Sequence, residues 1–207
     1  MIISNFINGI KLKNRNHYFS GLCFNSSKCK KDNIFFAIKG SKIDGNKFIN
    51  HAIKKGAKTI ISNHKFEGVR KNILYIKSLN TRKLLSQFAY QTDKKKPKNI
   101  IAVTGTNGKS SVAEFYFQIL KLNKKKVASI GTLGIKTTNY VKKISNTTTD
   151  PITLSRILYK LKKEKINNVI LEASSHGLKQ NRLDSLKFKT GIFTNLSHDH
   201  LDYHKTF

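Results

Sequence analysis

Hydrophobic residues in the second half of the chain form short apolar runs that alternate with amphipathic stretches of helical period. The runs at 100–104, 127–130, 169–173 and 191–194 predict buried strands. Two predicted helices lie between strands, and their apolar faces consist of Val112, Phe115, Tyr116, Ile119 and Leu120 in one and Leu154, Ile157, Leu158 and Leu161 in the other. This alternation predicts an α/β fold with a doubly wound, mainly parallel sheet.

The first half shows the same alternation on a smaller scale. Apolar runs at 34–38, 59–62 and 73–76 predict strands, and stretches at 47–55 and 83–91 predict helices. A lysine-rich stretch at 93–99 contains one of the two prolines of the chain and predicts a linker. We therefore expect a small α/β domain at 1–97 and a second α/β domain at 98–207.

A glycine-rich segment follows the first strand of the second domain and opens its first helix. In this setting backbone N–H groups and the helix N-terminus can surround nucleotide phosphates, Lys109 can reach the β- and γ-phosphates, and the Ser110 hydroxyl can bind Mg²⁺. The residues predicted to bind ATP are Gly105, Thr106, Asn107, Gly108, Lys109, Ser110 and Ser111.

The spacing of the glycines in this phosphate loop narrows the classes of nucleotide-binding protein to which the chain could belong. Only two residues separate Gly105 from Gly108, whereas the common form has four, and this disfavours most helicases and GTPases. The alternative is that this segment binds no phosphate and is only a tight strand-to-helix turn in which the lysine is incidental.

Acidic and histidine residues follow two later strands. Glu172 ends one predicted strand and Asp199-His200 follow the next, so we expect both groups at the sheet edge that carries the phosphate loop. Such groups suit a metal that bridges ATP and a second substrate, and we predict that Ser110, Glu172 and His200 bind Mg²⁺.

The same region of the sequence has two alternatives to this magnesium site. His198-x-His200-x-Asp202 is similar to the start of a binuclear zinc hydrolase motif, but Tyr203 stands where that motif needs histidine. Ser174-Ser175-His176 could supply a serine nucleophile, yet the G-x-S-x-G elbow is missing.

Charge and cysteine content limit the partners. Against 11 Asp+Glu stand 40 Lys+Arg, a net charge of +29, but most of the basic residues are scattered lysines, so we expect no specific nucleic-acid binding. We expect no membrane binding either, because no run approaches the roughly 18 apolar residues of a membrane span. Cys23 and Cys29 form no zinc pattern, and we expect free thiols in a reducing, cytoplasmic compartment.

The short Gly105–Ser110 loop, Gly131-Thr132-Leu133-Gly134 and the segment from Glu172 to His204 together resemble the Mur ligase family. Members of this family join an amino acid to a carboxylate using ATP. The resemblance implies a UDP-sugar-binding first domain, in which Asn25-Ser26-Ser27 stands where the family has Asp-Ser-Arg, followed by a P-loop ATPase domain. It also implies the cofactors ATP and Mg²⁺ and catalytic roles for Lys109, Glu172 and His200.

The block around Glu172 is most similar to the branch that adds a diamino acid to UDP-MurNAc-L-Ala-D-Glu in peptidoglycan synthesis. The resemblance implies that the substrate carboxylate attacks the γ-phosphate to give an acyl phosphate, which the amine of the diamino acid then attacks. The residues implied to hold UDP-MurNAc-L-Ala-D-Glu are Phe24, Ser26, Ser41, Lys42, Ile43, Asn146, Thr147, Thr148, Ser174, Gln180 and Arg182.

The family continues beyond the segments matched here, through a carbamylated lysine and a C-terminal domain for the incoming amino acid. We therefore expect this chain to be an N-terminal portion of such a ligase, with its ATPase domain truncated, monomeric and unable to complete catalysis alone. The alternatives are another Mur or folylpolyglutamate-type ligase, and a non-catalytic P-loop module that binds nucleic acid.

Overall fold

The computed structural model describes residues 1–7, 14, 16–40, 43–92 and 95–197. It divides the chain into two units, Met1–Thr92 and Asp93–Phe207. The domain boundary expected at residue 97 lies a few residues beyond this division.

Among its described residues, the first unit contains a five-stranded sheet and two α-helices. Its elements are β1 (Gly21–Cys23), β2 (Asn33–Phe36), α1 (Ile49–Lys54), β3 (Thr59–Ser62), β4 (Gly68–Arg70), β5 (Ile73–Lys77) and α2 (Thr81–Thr92). The strand order is β1-β2-β3-β5-β4, and every pairing is parallel except that of β4 with β5. All residues of β2 and β3 are buried, as expected for the central strands of a parallel sheet.

Aromatic rings hold α2 against this sheet. The ring of Phe88 on α2 lies 5.1 Å from that of Phe6, 5.9 Å from that of Phe19 and 5.6 Å from that of Phe36 on β2. Aromatic pairs at these separations stabilise a core beyond the apolar area that they bury.

The second unit contains a six-stranded sheet and three helices within its described residues. Its elements are β6 (Asn99–Thr104), α3 (Lys109–Leu122), β7 (Val127–Gly131), β8 (Gly134–Thr137), β9 (Val141–Lys142), α4 (Pro151–Lys163), β10 (Asn168–Glu172), α5 (Ser175–Lys179) and β11 (Thr190–Phe193). The order is β11-β6-β10-β7-β8-β9, parallel from β11 to β7 and antiparallel from β7 to β9.

The parallel strands bring their carboxyl ends to one edge of this sheet. There β6 ends at Thr104, β7 at Gly131, β10 at Glu172 and β11 at Phe193. The predicted α/β class and mainly parallel second sheet are confirmed. Strands β4, β8 and β9, which pair in antiparallel fashion, were not predicted.

The prediction of which side of α3 is buried is only partly correct. Phe115 and Ile119 are 66% and 58% exposed, whereas Ala113 and Phe117 are buried. Val112 and Tyr116 are half-buried and pack against Val103 and Ile170 of the sheet. Small Ala113 lets the helix lie close to the strands, so its buried side is rotated from the predicted one.

The expectation of free cysteines is wrong. Cys23 at the end of β1 and Cys29 form a disulfide, with their Cα atoms 5.5 Å apart. A 3-10 helix at Ser26–Lys28 folds the chain back between them, and the resulting Cα separation lies within the ordinary range for a disulfide.

No helix in the part of the chain that the structure describes combines the length and the hydrophobicity needed to cross a bilayer.

Candidate functional site

The phosphate loop joins β6 to α3 through two glycines in the left-handed half of backbone space. Gly105 has φ +135°, and a Cβ there would lie 2.1 Å from Thr194 Oγ1 and 2.8 Å from the Asn195 carbonyl oxygen. Gly108 has φ +82° and is the N-cap of α3, where no side chain caps the helix. The first turn of α3 therefore keeps N–H donors for an anion, favoured further by the helix dipole.

The segment that follows β11 holds the tip of this loop. The Thr106 N–H donates to the Asn195 carbonyl (3.0 Å) and the Asn107 N–H to Asn195 Oδ1 (3.0 Å). In the opposite direction, the Thr194 hydroxyl donates to the Asn107 carbonyl (2.6 Å) and the Ser197 N–H to Thr106 Oγ1 (2.9 Å). These bonds fix the loop and leave its helical end, 108–111, as the end suited to phosphate.

Lys109 folds over its own loop. Its Nζ donates to the carbonyl oxygens of Gly105 and Thr106, both at 2.7 Å. An ammonium group has three donors, so one remains for a phosphate oxygen while the other two keep the charge centred above the loop.

Glu172 is the most enclosed charged group at this edge. Its side chain is 2% exposed and accepts hydrogen bonds from Ser110 Oγ (2.9 Å), the Thr132 N–H (3.1 Å) and Thr132 Oγ1 (3.0 Å). The ion pairs within the described ranges are Lys136–Glu114 and Lys160–Glu164, so Glu172 has neutral donors there and no basic partner. A buried carboxylate in such surroundings favours the binding of a cation.

The pair formed by Ser110 and Glu172 fits Mg²⁺. Neighbouring oxygen ligands of an octahedral ion with bonds of 2.0–2.1 Å lie about 2.9 Å apart. A hydrogen bond sets the separation of Ser110 Oγ and Glu172 Oε2 at 2.9 Å, and the two oxygens could keep this separation as neighbouring ligands of Mg²⁺. Within the described ranges no group of three or more His, Cys, Asp or Glu could hold a metal, so phosphate oxygens and water would have to complete the shell.

A second polar network connects the loop before α4 to the end of β10. Thr148 is buried, its hydroxyl donates to the Glu172 carbonyl (2.8 Å), and its Oγ1 accepts from the Ser174 N–H (2.8 Å). Arg182 donates to the Thr148 carbonyl and, through Nε and Nη2, to Gln180 Oε1 (3.2 and 2.7 Å). The structure thus brings together the substrate residues predicted as Thr148, Ser174, Gln180 and Arg182.

Asn146 and Thr147 lie on the same loop. Asn146 is exposed, and Thr147 Oγ1 lies 3.0 Å from Thr132 Oγ1. Thr132 therefore contacts both the predicted metal ligand Glu172 and the predicted substrate residue Thr147.

Of the substrate residues predicted in the first unit, two lie between the disulfide-bonded cysteines in the sequence and three lie after β2. Phe24 is exposed between Cys23 and Asn25, and Ser26 is buried with its Oγ 3.0 Å from His51 Nδ1. Ile43 is 62% exposed. Ser41 and Lys42 lie outside the described residues.

Several other predicted groups also fall outside the described residues. They include His200, predicted as metal ligand and catalytic group, and the zinc hydrolase candidates His198 and Asp202. The serine nucleophile alternative receives no support from Ser174, because its Oγ caps α5 by accepting from the Gly177 N–H at 3.1 Å.

Sequence reasoning missed the roles of Thr132, Thr194 and Asn195. Thr132 and Thr194 directly follow the last residues of β7 and β11, and Asn195 is the second residue after β11. Each of the three makes hydrogen bonds to the phosphate loop or to Glu172. The signal available in the sequence was their position at the carboxyl edge, where ligands bind in parallel α/β sheets.

Comparison with known protein families finds two matches. The Mur ligase middle domain matches residues 103–207, and the Mur ligase family catalytic domain matches residues 18–92.

Individual relatives agree with these matches. A UDP-N-acetylmuramoyl-L-alanyl-D-glutamate–2,6-diaminopimelate ligase from Rickettsia prowazekii is 41% identical over 196 residues, which are 93% of this chain and 40% of the relative. The ligase of the same name from Buchnera aphidicola is 43% identical over 195 residues, which are 90% of this chain and 39% of the relative. The chain thus spans about 40% of the length of the curated relatives that it matches.

Solved structures give the same result. The structure of a UDP-N-acetylmuramoyl-L-alanyl-D-glutamate–2,6-diaminopimelate ligase matches with a TM-score of 0.80 at 29% identity, covering 100% of this chain and 42% of the other. A MurF ligase from Thermotoga maritima in complex with ADP matches with a TM-score of 0.59 at 20% identity, covering 89% and 39%, and indicates the fold alone.

Proposed function

Because the chain belongs to the Mur ligase family, whose middle domain matches residues 103–207, we propose that it forms the ATP-binding and UDP-sugar-binding part of a peptidoglycan ligase. The ligase would add a diamino acid to UDP-MurNAc-L-Ala-D-Glu, as the names of its relatives indicate for those proteins. ATP and Mg²⁺ are the proposed cofactors.

The observation that carries this proposal is the set of contacts around Glu172. The carboxylate lies between Ser110 of the phosphate loop and Thr132, which in turn contacts Thr147 on the predicted substrate loop. A ligase that phosphorylates a carboxylate must hold two polyanions next to each other. The proposal is supported because Ser110, Glu172 and Thr147, which are predicted for the two sites, belong to one hydrogen-bonded cluster.

The residues of the second unit have separate roles in the proposed reaction. Lys109 and the N–H groups at the start of α3 bind the phosphates of ATP. Ser110 and Glu172 would hold Mg²⁺, which would neutralise phosphate charge. Arg182, fixed by Gln180 and the Thr148 carbonyl, presents its guanidinium group to the peptide part of the substrate, whose carboxylate is the proposed attacking group.

The first unit is proposed to bind the UDP part through Phe24, Ser26, Ser41, Lys42 and Ile43. An exposed aromatic ring beside a buried serine is suited to a base that stacks and accepts hydrogen bonds. The nucleotide substrates would place this activity in the cytoplasm, and a monomer is the proposed state.

Isothermal titration calorimetry of the chain tests this proposal through binding, with ATP in the presence and absence of Mg²⁺ and with UDP-MurNAc-L-Ala-D-Glu. We expect saturable binding of both ligands. Lys109→Ala should weaken ATP binding roughly 10- to 150-fold, because hydrogen bonds to charged groups contribute about 1.5–3 kcal/mol. Lys125→Ala, at an exposed lysine just beyond α3, is the matched control and should bind as the unaltered chain does.

Two results would refute the proposal. One is the lack of ATP binding by the unaltered chain, and the other is equal binding by the Lys109→Ala and Lys125→Ala variants. A salt-dependent shift of mixed oligonucleotides that ATP abolishes would instead favour the nucleic-acid-binding alternative.

A further inference from the structure

Thr132 directly follows β7 and contacts Glu172 through two different groups. Its N–H donates to Oε1 (3.1 Å) and its hydroxyl to Oε2 (3.0 Å), so one residue grips both oxygens of the carboxylate. Two donors from one residue fix the plane of a carboxylate, which a single donor cannot do. The preceding Gly131 lies so close to Glu172 that an added Cβ would come 2.1 Å from Oε1.

The hydroxyl of Thr132 also contacts Thr147 on the substrate loop, the loop before α4 that carries residues 146–148. The number of protons on each hydroxyl determines which of the two threonines is the hydrogen-bond donor. A hydroxyl has one proton, and that of Thr132 points to Glu172 Oε2. At the 3.0 Å contact between the two threonine oxygens, Thr147 must therefore donate and Thr132 accept. The result is a directed chain from Thr147 through Thr132 to Glu172.

We propose that Thr132 is a positioning residue whose hydroxyl orients the Glu172 carboxylate for the metal of the ATP site and links it to Thr147 on the substrate loop. This inference rests on the proposed function and adds a residue to it. Thr132 is exposed and its hydroxyl has polar neighbours, so the hydroxyl orients Glu172 and is not needed to fill a core.

Substitution of the hydroxyl separates this role from a structural one. Thr132→Val keeps the shape and the backbone N–H but removes the donor to Oε2 and the acceptor for Thr147. Loss of a group that orients a metal ligand typically lowers metal affinity roughly 10- to 100-fold. Thr132→Ser keeps the hydroxyl and should restore the affinity, and Thr138→Val, at an exposed threonine of the β8–β9 turn, is the matched control.

The test measures Mn²⁺ affinity of the full 207-residue chain by electron paramagnetic resonance in the presence of ATP, together with metal-free ATP affinity and Tm. We expect Thr132→Val to weaken Mn²⁺ binding roughly 10- to 100-fold while Thr132→Ser and Thr138→Val leave it unchanged. Metal-free ATP affinity should be the same in all four proteins, and Tm should fall only in Thr132→Val, which loses a hydrogen bond to the buried carboxylate.

Three results would overturn the inference. These are Mn²⁺ binding by Thr132→Val equal to that of the unaltered chain, failure of Thr132→Ser to restore it, and a parallel fall of metal-free ATP affinity. If the unaltered chain itself binds no ATP, the proposed function fails and the inference with it. If the unaltered chain and Thr132→Val both bind ATP and metal normally, only the inference is refuted and the proposed function stands.

Discussion

Gly131→Ala should displace the Glu172 carboxylate without disturbing the sheet. A Cβ at Gly131 would lie 2.1 Å from Oε1, 2.4 Å from Cδ and 2.6 Å from Cγ of Glu172, while real Cβ contacts essentially never fall below 3.0 Å. The carboxylate would have to move by about 1 Å, since its own backbone in β10 is held on both sides by β6 and β7.

The size of the effect follows from the bonds that this movement breaks. The three hydrogen bonds to the carboxylate are 2.9–3.1 Å long, and a shift of about 1 Å would take them beyond hydrogen-bonding distance. The carboxylate that these bonds orient is the proposed metal ligand, and loss of such orienting groups typically lowers metal affinity roughly 10- to 100-fold, so Mg²⁺-dependent ATP binding should weaken by a comparable factor.

The assay is calorimetric titration of ATP into the variant with and without Mg²⁺. Gly191→Ala provides the control, because Gly191 lies in the same sheet and an added Cβ there meets nothing within 4 Å. Gly131→Ala should lose the strengthening by Mg²⁺ that Gly191→Ala retains. Equal Mg²⁺ effects in both variants would refute the assigned position of Glu172.

Three further predictions concern other parts of the chain. Reduction of the Cys23–Cys29 disulfide should lower the free energy of unfolding of the first unit by about 2 kcal/mol, measured by urea unfolding. Because Phe24 and Ser26 lie between the two cysteines, reduction should also weaken UDP-sugar binding but not ATP binding, and equal weakening of both would contradict this. Gly177→Ala should weaken binding of the muramyl dipeptide more than that of ATP, because its Cβ would lie 2.7 Å from Thr148 Cβ; the reverse order would contradict it. The hydrogen bond from Lys136 lowers the pKa of Glu114, so the stability that this carboxylate contributes is present above the ordinary glutamate pKa and is lost as pH falls through the lowered one. The difference in free energy of unfolding between the unaltered chain and Glu114→Gln should therefore shrink as pH falls below the ordinary glutamate pKa, and a constant difference would contradict it.

Much of the fold follows from local patterns in the sequence. Short apolar runs bounded by polar turns predicted β3 without error and placed β6, β7, β10 and β11 to within a residue or two at their ends. Because parallel strands share an edge, the same patterns placed Glu172 beside the phosphate loop.

The orientation of α3 could not be obtained in this way. Apolar residues at 112, 113, 115, 116, 117, 119, 120 and 122 surround most of this helix, so its sequence does not single out one face. Packing against the sheet decided between the faces and left Phe115 and Ile119 exposed.

The finer features of the site depend on tertiary contacts that no local pattern contains. The bonds of Lys109 to its own loop, the double contact of Thr132 with Glu172 and the disulfide all join groups whose distances are set by the packed fold. The loop and its lysine could be predicted from a motif, and the carboxylate from its position at the end of a strand, because these signals are local to the sequence.

The most direct test of the site is the dependence of ATP affinity on Mg²⁺ in the unaltered chain and in Glu172→Gln. This substitution keeps the size of the side chain and removes the charge that is proposed to bind the metal. We predict that both proteins bind metal-free ATP equally and that only the unaltered chain binds ATP more tightly when Mg²⁺ is added. Equal strengthening by Mg²⁺ in both proteins, or no ATP binding by the unaltered chain, would contradict the assignment of the site.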